Sequence, residues 1–414
     1  MAHPELARRD TARRDYRLYW AATTTDTLGS QTSGVVLPLF LLATGRSAAL
    51  AGAVVSASLV AGLLAAPFAA VLADRGARRA VMWWSALAAA GAMGSIAALA
   101  ATGRLPVGYL LAAVVAERIA TSCYAAAARG CVAALVAPAD YPHAVSRLQA
   151  GSQGAAVAGP VLGGALFTAA RWLPFLADAV SYLVTAWCVR AMRTDLAPAP
   201  SGGAGAFAAD LREGLRFTWR QPLLRGVLWW TAGLNAVLAA LYFGAVFSLE
   251  RHGEGTVAIG VVLAVAGAAG VAGALPAPWL ARRVPAARLC VVVSWAVVLV
   301  AAGLAFATRA WVYGALFGVV SLLAPTLAVL LSARAIAVTP PEFQSRVGTV
   351  LATASGAATT VAPLAAGILV AVSGTTALGL TGAGVMAVVA LYATLTVARH
   401  LTPVASRTPA EGAT

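Results

Sequence analysis

Long apolar stretches alternate with short polar ones along almost the whole chain. Each apolar stretch holds about 20 residues or more, the length a helix needs to cross the hydrocarbon core of a bilayer. The pattern predicts twelve membrane-spanning helices, at residues 18–44, 49–73, 80–102, 106–130, 144–170, 172–191, 225–249, 256–281, 287–308, 310–335, 344–370 and 375–398. The first seventeen residues are charged and the first apolar stretch is too long for a signal-peptide core, so we expect no cleaved leader.

The apolar pattern breaks once, between the sixth and seventh spans. Residues 194–205 are rich in Pro, Ser and Gly, which is typical of a flexible linker. Residues 210–222 then carry two stripes at helical spacing, one apolar and one basic, and so predict a short helix in the headgroup layer. The stripes are Leu211, Leu215 and Trp219, and Arg212, Arg216 and Arg220. We therefore predict an N-terminal tail (1–17), a six-helix bundle (18–191), a linker (192–224), a second six-helix bundle (225–398) and a C-terminal tail (399–414).

The two predicted bundles resemble each other in sequence. The stretch 159–164, GPVLGG, has a counterpart 203 residues further on, APLAAG at 362–367. The stretch 72–75, LADR, has one 208 residues further on, LARR at 280–283. Both matches agree on span number and on the side of the membrane. The chain is thus predicted to be an all-α membrane protein with twelve transmembrane helices in two pseudo-symmetric six-helix bundles.

Composition and charge fit this class and exclude others. Hydrophobic residues make up 60% of the chain and charged residues 11%, against roughly 25% charged residues in soluble domains. All 29 basic residues are Arg; 23 lie on the side shared by both termini and five on the other, which predicts cytoplasmic termini. The net charge of +14 is scattered over short loops and forms no groove, so we expect no nucleic-acid partner.

Cysteine and histidine give no sign of a metal or disulfide framework. The four cysteines form no C-x-x-C pair, and the four histidines never stand at the i, i+4 spacing of a helical metal site. These residues are Cys123, Cys131, Cys188 and Cys290, and His3, His143, His252 and His400. We expect no metal site and no cofactor.

A basic stretch with one acid follows the second span: Asp74, Arg75, Gly76, Arg78 and Arg79. It resembles the tail of motif A, the cytoplasmic signature of major facilitator superfamily transporters, although its glycine directly follows Arg75 rather than standing one residue later. The residue types allow Asp74 to accept backbone N–H groups and the arginines to pair with carboxylates or helix C-termini of the other half. That latch would hold the cytoplasmic side shut in the outward-facing state. The alternative is that the arginines only set topology.

Small residues and a proline interrupt the fifth span: Gly154, Gly159, Pro160, Gly163 and Gly164. In lipid, such a stretch is stable only where a neighbouring helix packs tightly against it. Its core resembles motif C of the drug/proton antiporters in the same superfamily, and we expect Gly159 and Pro160 to let this helix approach the second half closely. An ordinary small-residue packing surface is the alternative.

Further stretches resemble one branch of the superfamily, which includes enterobactin-type exporters and macrolide-efflux-like proteins. They are residues 17–20, 28–30 and 37–39 in the first helix, 175–182 in the sixth span and 212–217 in the linker helix. The resemblance covers about residues 14–400 and implies the major facilitator fold and an efflux function. Two departures matter: Ala155 stands where motif C usually has another Gly, and Arg282 stands where the second copy would have the acid of motif A.

Three carboxylates lie within predicted spans: Asp26, Glu117 and Asp178. An ionised acid in hydrocarbon costs at least about 2.5–3.5 kcal/mol and is retained for a reason. Each is therefore a candidate to load and release a proton, and Arg118 beside Glu117 resembles the arginine of motif B in proton antiporters. Neighbouring side chains on a helix point about 100° apart, so Glu117 and Arg118 need not pair. Asp178 has the alternative of a structural, hydrogen-bonded group near the outer surface.

Aromatic and amide side chains of the second half are candidates for the wall of a site for an apolar molecule. They are Asn235, Tyr242, Phe243, Phe247, Tyr313 and Phe317. Aromatic residues of membrane helices also serve as packing or interface residues, which is the alternative for each.

The leading prediction is a non-enzymatic secondary transporter that exports a small apolar or amphiphilic compound, such as a drug, antibiotic or siderophore, in exchange for protons. No Gly-x-x-x-x-Gly-Lys nucleotide-binding loop is present. We expect a monomer in contact with membrane lipids in a bacterial plasma membrane. A facilitator or lipid flippase of the same fold, without proton coupling, is the first alternative, and a non-transporting receptor or scaffold is the second.

Overall fold

A computed structural model describes residues 3–75, 78–129, 131–137, 140–194, 196, 204–253, 255–275, 283–307 and 309–397. Helices form nearly all of this part of the chain. They are α1 (His3–Ala43), α2 (Ala48–Arg75), α3 (Arg78–Ala101), α4 (Val107–Ala128), α5 (Cys131–Leu135), α6 (Tyr141–Ala169), α7 (Leu173–Ala191), α8 (Ala204–Arg220), α9 (Pro222–Arg251), α10 (Thr256–Ala274), α11 (Ala286–Leu304), α12 (Ala310–Ala337) and α13 (Pro341–Tyr392), followed by a π-helical turn at Ala393–Val397.

A helix lies at each of the twelve predicted spans, and the last two spans share α13. This helix is not continuous, because Gly374 has φ 80° and ψ −178°. That conformation is open to glycine and strained for other residues, so Gly374 separates the segments 341–373 and 375–392.

Seven helical segments of the described residues are long and apolar enough to cross a membrane. They are Ala48–Ala73, Arg78–Ala101, Val107–Ala128, Pro222–Glu250, Thr256–Gly273, Ala287–Leu304 and Arg346–Leu395, the last of which covers two predicted spans. In α12 a shorter apolar segment, Ala310–Ala324, is found. The helices α1, α6 and α7 carry more polar residues, and those of α1 and α7 form much of the site described below.

The helices pack as two groups. In the first half, α1 packs on α6 and α7, α3 on α4 and α7, and α2 on α4. In the second half, α9 packs on α13, α10 on α12, and α11 on α12 and α13. The main contacts between the halves are made by α6 with α10, here called the first seam, and by α2 with α13, here called the second seam.

Glycines bring the first seam to backbone contact. A Cβ added to Gly164 of α6 would lie 2.7 Å from the carbonyl oxygen of Thr256 in α10. A Cβ added to Gly260 of α10 would clash with the carbonyl oxygen of Pro160 in α6. Only glycine therefore fits at either position while the seam is closed.

The second seam repeats this arrangement with equivalent residues. A Cβ on Gly367 of α13 would clash with the carbonyl oxygen of Ala48 in α2, and a Cβ on Gly52 of α2 would clash with that of Pro363 in α13. The equivalent positions are 203 residues apart in α6 and α13 and 208 apart in α2 and α10, the offsets of the sequence repeat. The seams thus carry the pseudo-symmetry of the molecule.

Both seams close the same end of the bundle. The contacts at Thr256 and Ala48 lie at the first residues of α10 and α2. Because α1 ends at Ala43, just before α2 begins, this end is the one opposite the N-terminus.

The linker helix α8 packs against the start of α13. The rings of Phe217 and Phe343 stack with centroids 4.7 Å apart, and Glu213 Oε2 lies 2.9 Å from Arg346 Nη1. Trp219, a member of the predicted apolar stripe, remains half exposed. Its ring contacts that of Trp229 in α9, with centroids 6.2 Å apart. The placement of α8 in the headgroup layer stays a prediction.

Candidate functional site

Helices α1, α4 and α7 bring polar side chains together inside the first half. Glu117 of α4 is 3% exposed, and its Oε1 accepts a hydrogen bond of 2.6 Å from the Tyr182 hydroxyl of α7. The same hydroxyl lies 3.1 Å from Ser30 Oγ of α1. A carboxyl group with so little exposed surface needs a hydrogen-bond partner, and the Tyr182 hydroxyl, itself bonded to Ser30, links Glu117 to α7 and α1.

Asp178 of α7 is 1% exposed, and both of its oxygens are hydrogen-bonded. Ser33 Oγ donates to Oδ2 at 2.5 Å and Ser181 Oγ donates to Oδ1 at 3.3 Å. A Cβ on Gly29 would lie 2.6 Å from Oδ1, so α1 and α7 are in close contact here. This geometry is that of a group which joins two helices.

A cleft of about 420 Å³ lies beside Glu117, between α1 and α4. Its lining residues are Asp26, Thr27, Ser30, Gln31, Glu117, Arg118, Thr121, Ser122, Tyr124 and Ala125. Asp26 is half-buried, and no residue in the described part of the chain donates a hydrogen bond to its carboxylate or forms an ion pair with it. The cleft therefore contains one carboxylate that accepts a hydrogen bond and one that accepts none from the described residues, and the charge of Arg118 acts on both.

Arg118 borders the cleft without a hydrogen bond at its Nε atom. This atom lies 3.9 Å from Glu117 Oε2, so the two neighbours do approach each other, at the outer limit of an ion pair. The side-chain stem is held by α2, because a Cβ on Gly62 would lie 2.7 Å from Arg118 Cγ. The guanidinium group is thereby kept at the cleft.

The three acids are staggered along the bundle axis. At 1.5 Å per residue, Asp178 lies about 8 Å, Glu117 about 15 Å and Asp26 about 26 Å from the closed ends of their helices. The cleft, with Asp26 and Tyr124, therefore lies between the closed seams and the end of the bundle that carries the N-terminus.

Sequence reasoning identified the acids but missed the hydroxyl groups around them. Tyr182, Ser30 and Ser33 are ordinary membrane-helix residues in sequence, and Tyr182 lies 65 residues from Glu117. Helical spacing provides the only signal, since Asp178, Ser181 and Tyr182 share one face of α7.

The second-half candidates lie away from this cleft. Phe247, Tyr313 and Phe317 are buried in the hydrophobic core, and Tyr313 donates a hydrogen bond to Ser248 Oγ at 3.0 Å. Tyr242 and Phe243 pack against that core, while Asn235 Nδ2 donates to the carbonyl of Thr231 in its own helix. Contact of these residues with a substrate stays a prediction.

The glycines of the fifth predicted span, now α6, face two different helices, α1 and α10. Gly159 and Gly163 face α1, where a Cβ would lie 2.5 Å from Gln31 Cβ and from the Thr32 carbonyl oxygen, respectively. The contact with the second half is made instead by the Pro160 carbonyl and Gly164, whereas a Cβ on Gly154 would meet nothing within 4 Å. Our expectation for Gly159 is thus wrong in this conformation, because its face of α6 is turned towards the first half.

The arginines after α2 show a partner in the first half. Arg79 Nη2 donates to the carbonyl oxygen of Thr194 at 2.5 Å, beyond the end of α7, whereas we expected partners in the second half. Gly76 lies outside the described residues, and so do the side chains of Asp74 and Arg75. We expected the motif A latch in the state that is closed at the face carrying the termini. This structure is closed at the opposite face, so the latch stays a prediction.

A buried acid near the N-terminus completes that contact. Asp15 is fully buried, and its Oδ2 accepts hydrogen bonds from the backbone N–H of Arg193 at 2.7 Å and from the N–H and hydroxyl of Thr194 at 2.6 and 2.7 Å. Asp15 therefore anchors the start of α1 to the residues after α7. It lies before the first predicted span, which is why a search for acids within spans missed it.

No group of three or more His, Cys, Asp or Glu side chains within the described ranges is arranged to hold a metal ion. No curated protein is significantly similar to the chain in sequence.

Several solved structures share the fold. A bacterial homologue of the iron transporter ferroportin in an inward-facing state has a TM-score of 0.73 at 16% identity, over 94% of this chain and 98% of that one. A bacterial homologue of the human lysosomal transporter Spinster, inward-facing and unoccupied, has 0.69 at 13% identity, with the same coverage. The nucleoside transporter NupG has 0.70 at 13% identity, over 93% and 98%. At these identities the likeness shows the fold alone.

A family profile adds the sequence evidence. It matches residues 19–335, well over half of the chain, and describes the Major Facilitator Superfamily. The match begins in α1 and ends in α12, so it takes in the first half, the linker and much of the second half, including the first seam but not α13. The chain therefore belongs to the Major Facilitator Superfamily and has the fold of its membrane transporters.

Proposed function

We propose that this protein is a secondary transporter that exports a small amphiphilic compound in exchange for protons. We place it in a bacterial plasma membrane with both termini in the cytoplasm, on the basis of the arginine distribution. The cleft with its carboxylates, Asp26 and Glu117, is the observation that carries this proposal.

The placement of these two acids supports proton exchange. Acids at membrane depth typically mark ion or proton pathways. Glu117 is held by the Tyr182 hydroxyl, while Asp26 has no such partner among the described residues, so the two differ in how readily they meet solvent or substrate. The likeness of the α6 glycine-proline stretch to the antiporter motif supports the same function.

The conformation supports alternating access. The seams close the end opposite the N-terminus, and the cleft lies on the terminal side of them. With cytoplasmic termini this is an inward-facing state, the state in which an exporter loads its cargo. Two of the similar structures are also inward-facing.

The lining favours an amphiphilic cargo over a purely apolar one. We expected aromatic walls from the second half, but the described cleft residues belong to α1 and α4 and place the charged side chains of Asp26, Glu117 and Arg118 beside a mostly apolar surface. Charged groups lose their hydration when an apolar molecule covers them, which costs free energy.

Transport by proteoliposomes with an imposed pH gradient tests the proposal, with fluorescent doxorubicin as the amphiphilic probe. Wild-type protein should accumulate the probe against its concentration gradient and lose this ability when an uncoupler is added. Glu117→Gln and Asp26→Asn should lose uphill transport but retain downhill exchange, because a neutral side chain cannot carry a proton between the two sides.

Protein-free liposomes and the Glu213→Gln variant are the controls, since Glu213 lies on the linker helix. Uphill transport by the double variant that still collapses with the uncoupler would remove both acids from proton coupling. Wild-type transport that ignores the uncoupler would instead support an uncoupled facilitator.

A further inference from the structure

A second cavity, of about 540 Å³, lies between the start of α1 and the segment that contains α5 and the start of α6. It shares no described lining residue with the cleft beside Glu117. Its walls come from residues 12–17, just before the first predicted span, and from residues 135–147, before and at the start of the fifth. The cavity therefore lies at the level of the lipid headgroups rather than at membrane depth.

The charged side chains of this cavity are mainly basic. Among the described residues, three arginines and one acid line it, an excess of two positive charges: Arg13, Arg17 and Arg147, and Asp140. No described residue forms a hydrogen bond or an ion pair with any of the three guanidinium groups. Like charges that line one cavity repel one another, so a bound anion would lower the energy of this arrangement.

Arg147 is held in place by α1. Its guanidinium carbon lies 5.9 Å from the centre of the Trp20 ring, and Trp20 Nε1 donates a hydrogen bond of 3.1 Å to the carbonyl oxygen of Arg147. The Tyr16 hydroxyl donates to the carbonyl oxygen of Ala144 at 2.9 Å, which joins α1 to α6 beside the cavity. A guanidinium group held on an aromatic face loses less conformational freedom on binding an anion than a free arginine side chain does.

Other arginines of the chain use their charge within the protein. Arg79 and Arg171 donate to carbonyl oxygens, and Arg346 pairs with Glu213. An arginine that only sets the topology acts through its charge alone and needs neither a cavity nor a fixed orientation. The arginines of this cavity therefore fit a binding role better than either of these roles.

The remaining wall of the cavity is largely apolar. Its apolar residues are Leu135, Val136, Ala137 and Ala144. Inorganic phosphate gains nothing from such a wall, whereas the glycerol backbone and first methylene groups of a phospholipid lose contact with water there. Basic pockets between transmembrane helices bind the headgroups of anionic lipids, and arginine forms paired N–H bonds with phosphate oxygens.

We propose that this cavity binds the phosphate group of an anionic phospholipid, with Arg13, Arg17 and Arg147 bonded to its oxygen atoms. The apolar wall then contacts the glycerol backbone and the upper part of the acyl chains. The proposal does not depend on transport, on proton coupling or on the cargo of the cleft.

Native mass spectrometry of the purified full chain tests the proposal, because it counts the lipids bound to each protein molecule. Delipidated protein in detergent is titrated with dioleoylphosphatidylglycerol or with dioleoylphosphatidylcholine, which has the same acyl chains and phosphate but no net charge. The wild type should bind the first phosphatidylglycerol about tenfold more tightly than phosphatidylcholine. Millimolar inorganic phosphate should not displace it, because this anion makes no contact with the apolar wall.

Two nearby arginines of α1 give a matched pair of variants. Arg17→Gln removes one charge of the cavity and should weaken binding of the first phosphatidylglycerol about fivefold, with phosphatidylcholine binding unchanged. Arg147→Gln should have the same effect from α6. Arg14→Gln removes an equal charge from an exposed position that does not line the cavity, and should retain the wild-type affinity.

A cross-linking lipid maps the site in the wild type and needs no variant. Phosphatidylglycerol with a diazirine near the start of one acyl chain should label residues 135–137. Labels confined to helices other than α1, α5 and α6, equal affinity of the wild type for the two lipids, or equal losses in Arg14→Gln and Arg17→Gln would each overturn the proposal. Displacement by inorganic phosphate would assign the cavity to a soluble anion and would overturn it as well.

Discussion

At the scale of single residues, the buried acids of this protein are satisfied mainly by hydroxyl and backbone groups. Glu117 is held by Tyr182, and Asp178 by Ser33 and Ser181. Hydroxyl groups donate to a carboxylate without adding charge. Asp26 departs from this rule, because none of the described residues donates a hydrogen bond to it.

Asp15 gives a prediction about stability at this scale. Asp15→Ala should lower the free energy of unfolding by roughly 1–3 kcal/mol, because it leaves the donors of Arg193 and Thr194 without their acceptor. The midpoint of thermal unfolding in detergent is the measurement. The neighbouring Arg14 is exposed, so Arg14→Ala should leave the midpoint unchanged. An equal midpoint for wild type and Asp15→Ala would show that the anchor does not stabilise the fold.

At the scale of helices, the seams are contacts between backbones rather than between side chains. Gly164 and Gly260 in one seam, and Gly367 and Gly52 in the other, bring carbonyl groups to the position that a Cβ would occupy. Such contacts have little tolerance for added atoms, because packed helices leave no space that a larger side chain can fill.

The first seam can be tested with two glycines of the same helix. Gly164→Leu should disfavour the closed seam by about 1–3 kcal/mol, because the new side chain overlaps the Thr256 carbonyl. Gly154→Leu adds the same side chain where a Cβ meets nothing within 4 Å, and should leave the seam closed. Labelling of cysteines introduced at the closed end should rise in the first variant only. Equal labelling of both variants would contradict the assignment of Gly164 to the seam.

The sequence predicts the helices well and their contacting faces less well. Apolar length sets the spans, and the glycine-proline stretch of the fifth span marks a close contact. Gly159 and Gly164 are, however, five residues apart and point in different directions, and only packing decides which of them faces the other half. For the same reason the aromatic residues of α9 and α12 are predicted as cleft walls but lie in or against the core, while Tyr182 and Tyr124 are missed.

At the scale of the whole molecule, the two halves share an architecture but differ in chemistry. The acids at membrane depth lie in the first half, whereas the second half has buried contacts between neutral groups, such as Trp230 Nε1 to Ser294 Oγ at 2.8 Å. Under the proposed function, alternating access would move a mainly apolar half against the half that carries the candidate site.

A hydrogen bond that crosses the second seam has no side-chain equivalent in the first seam. The backbone N–H of Leu364, the residue after Pro363, donates to Ser56 Oγ across the second seam at 2.9 Å. The equivalent position in the first seam is Ala264, which has no hydroxyl. The second seam therefore has a bond that the first lacks.

Exchange of these two residues tests the difference. Ser56→Ala should shift the population towards the state open at that end by about fivefold, the equivalent of one net hydrogen bond. Ala264→Ser should shift it the other way, through a new bond to the N–H of Val161. Distances between spin labels at positions 46 and 375 report the opening, and unchanged distance distributions in Ser56→Ala would show that the bond does not set the balance.

The connections at the closed end have a consequence for any contact with other molecules. They comprise only residues 44–47, 102–106, 170–172, 252–255 and 305–309, and Gly374 alone separates the last two spans. With three to five residues in each connection, that face has no long loop that an antibody, a protease or an accessory protein could bind. A protein outside the membrane therefore has more chain to contact on the opposite face, which carries the linker helix α8.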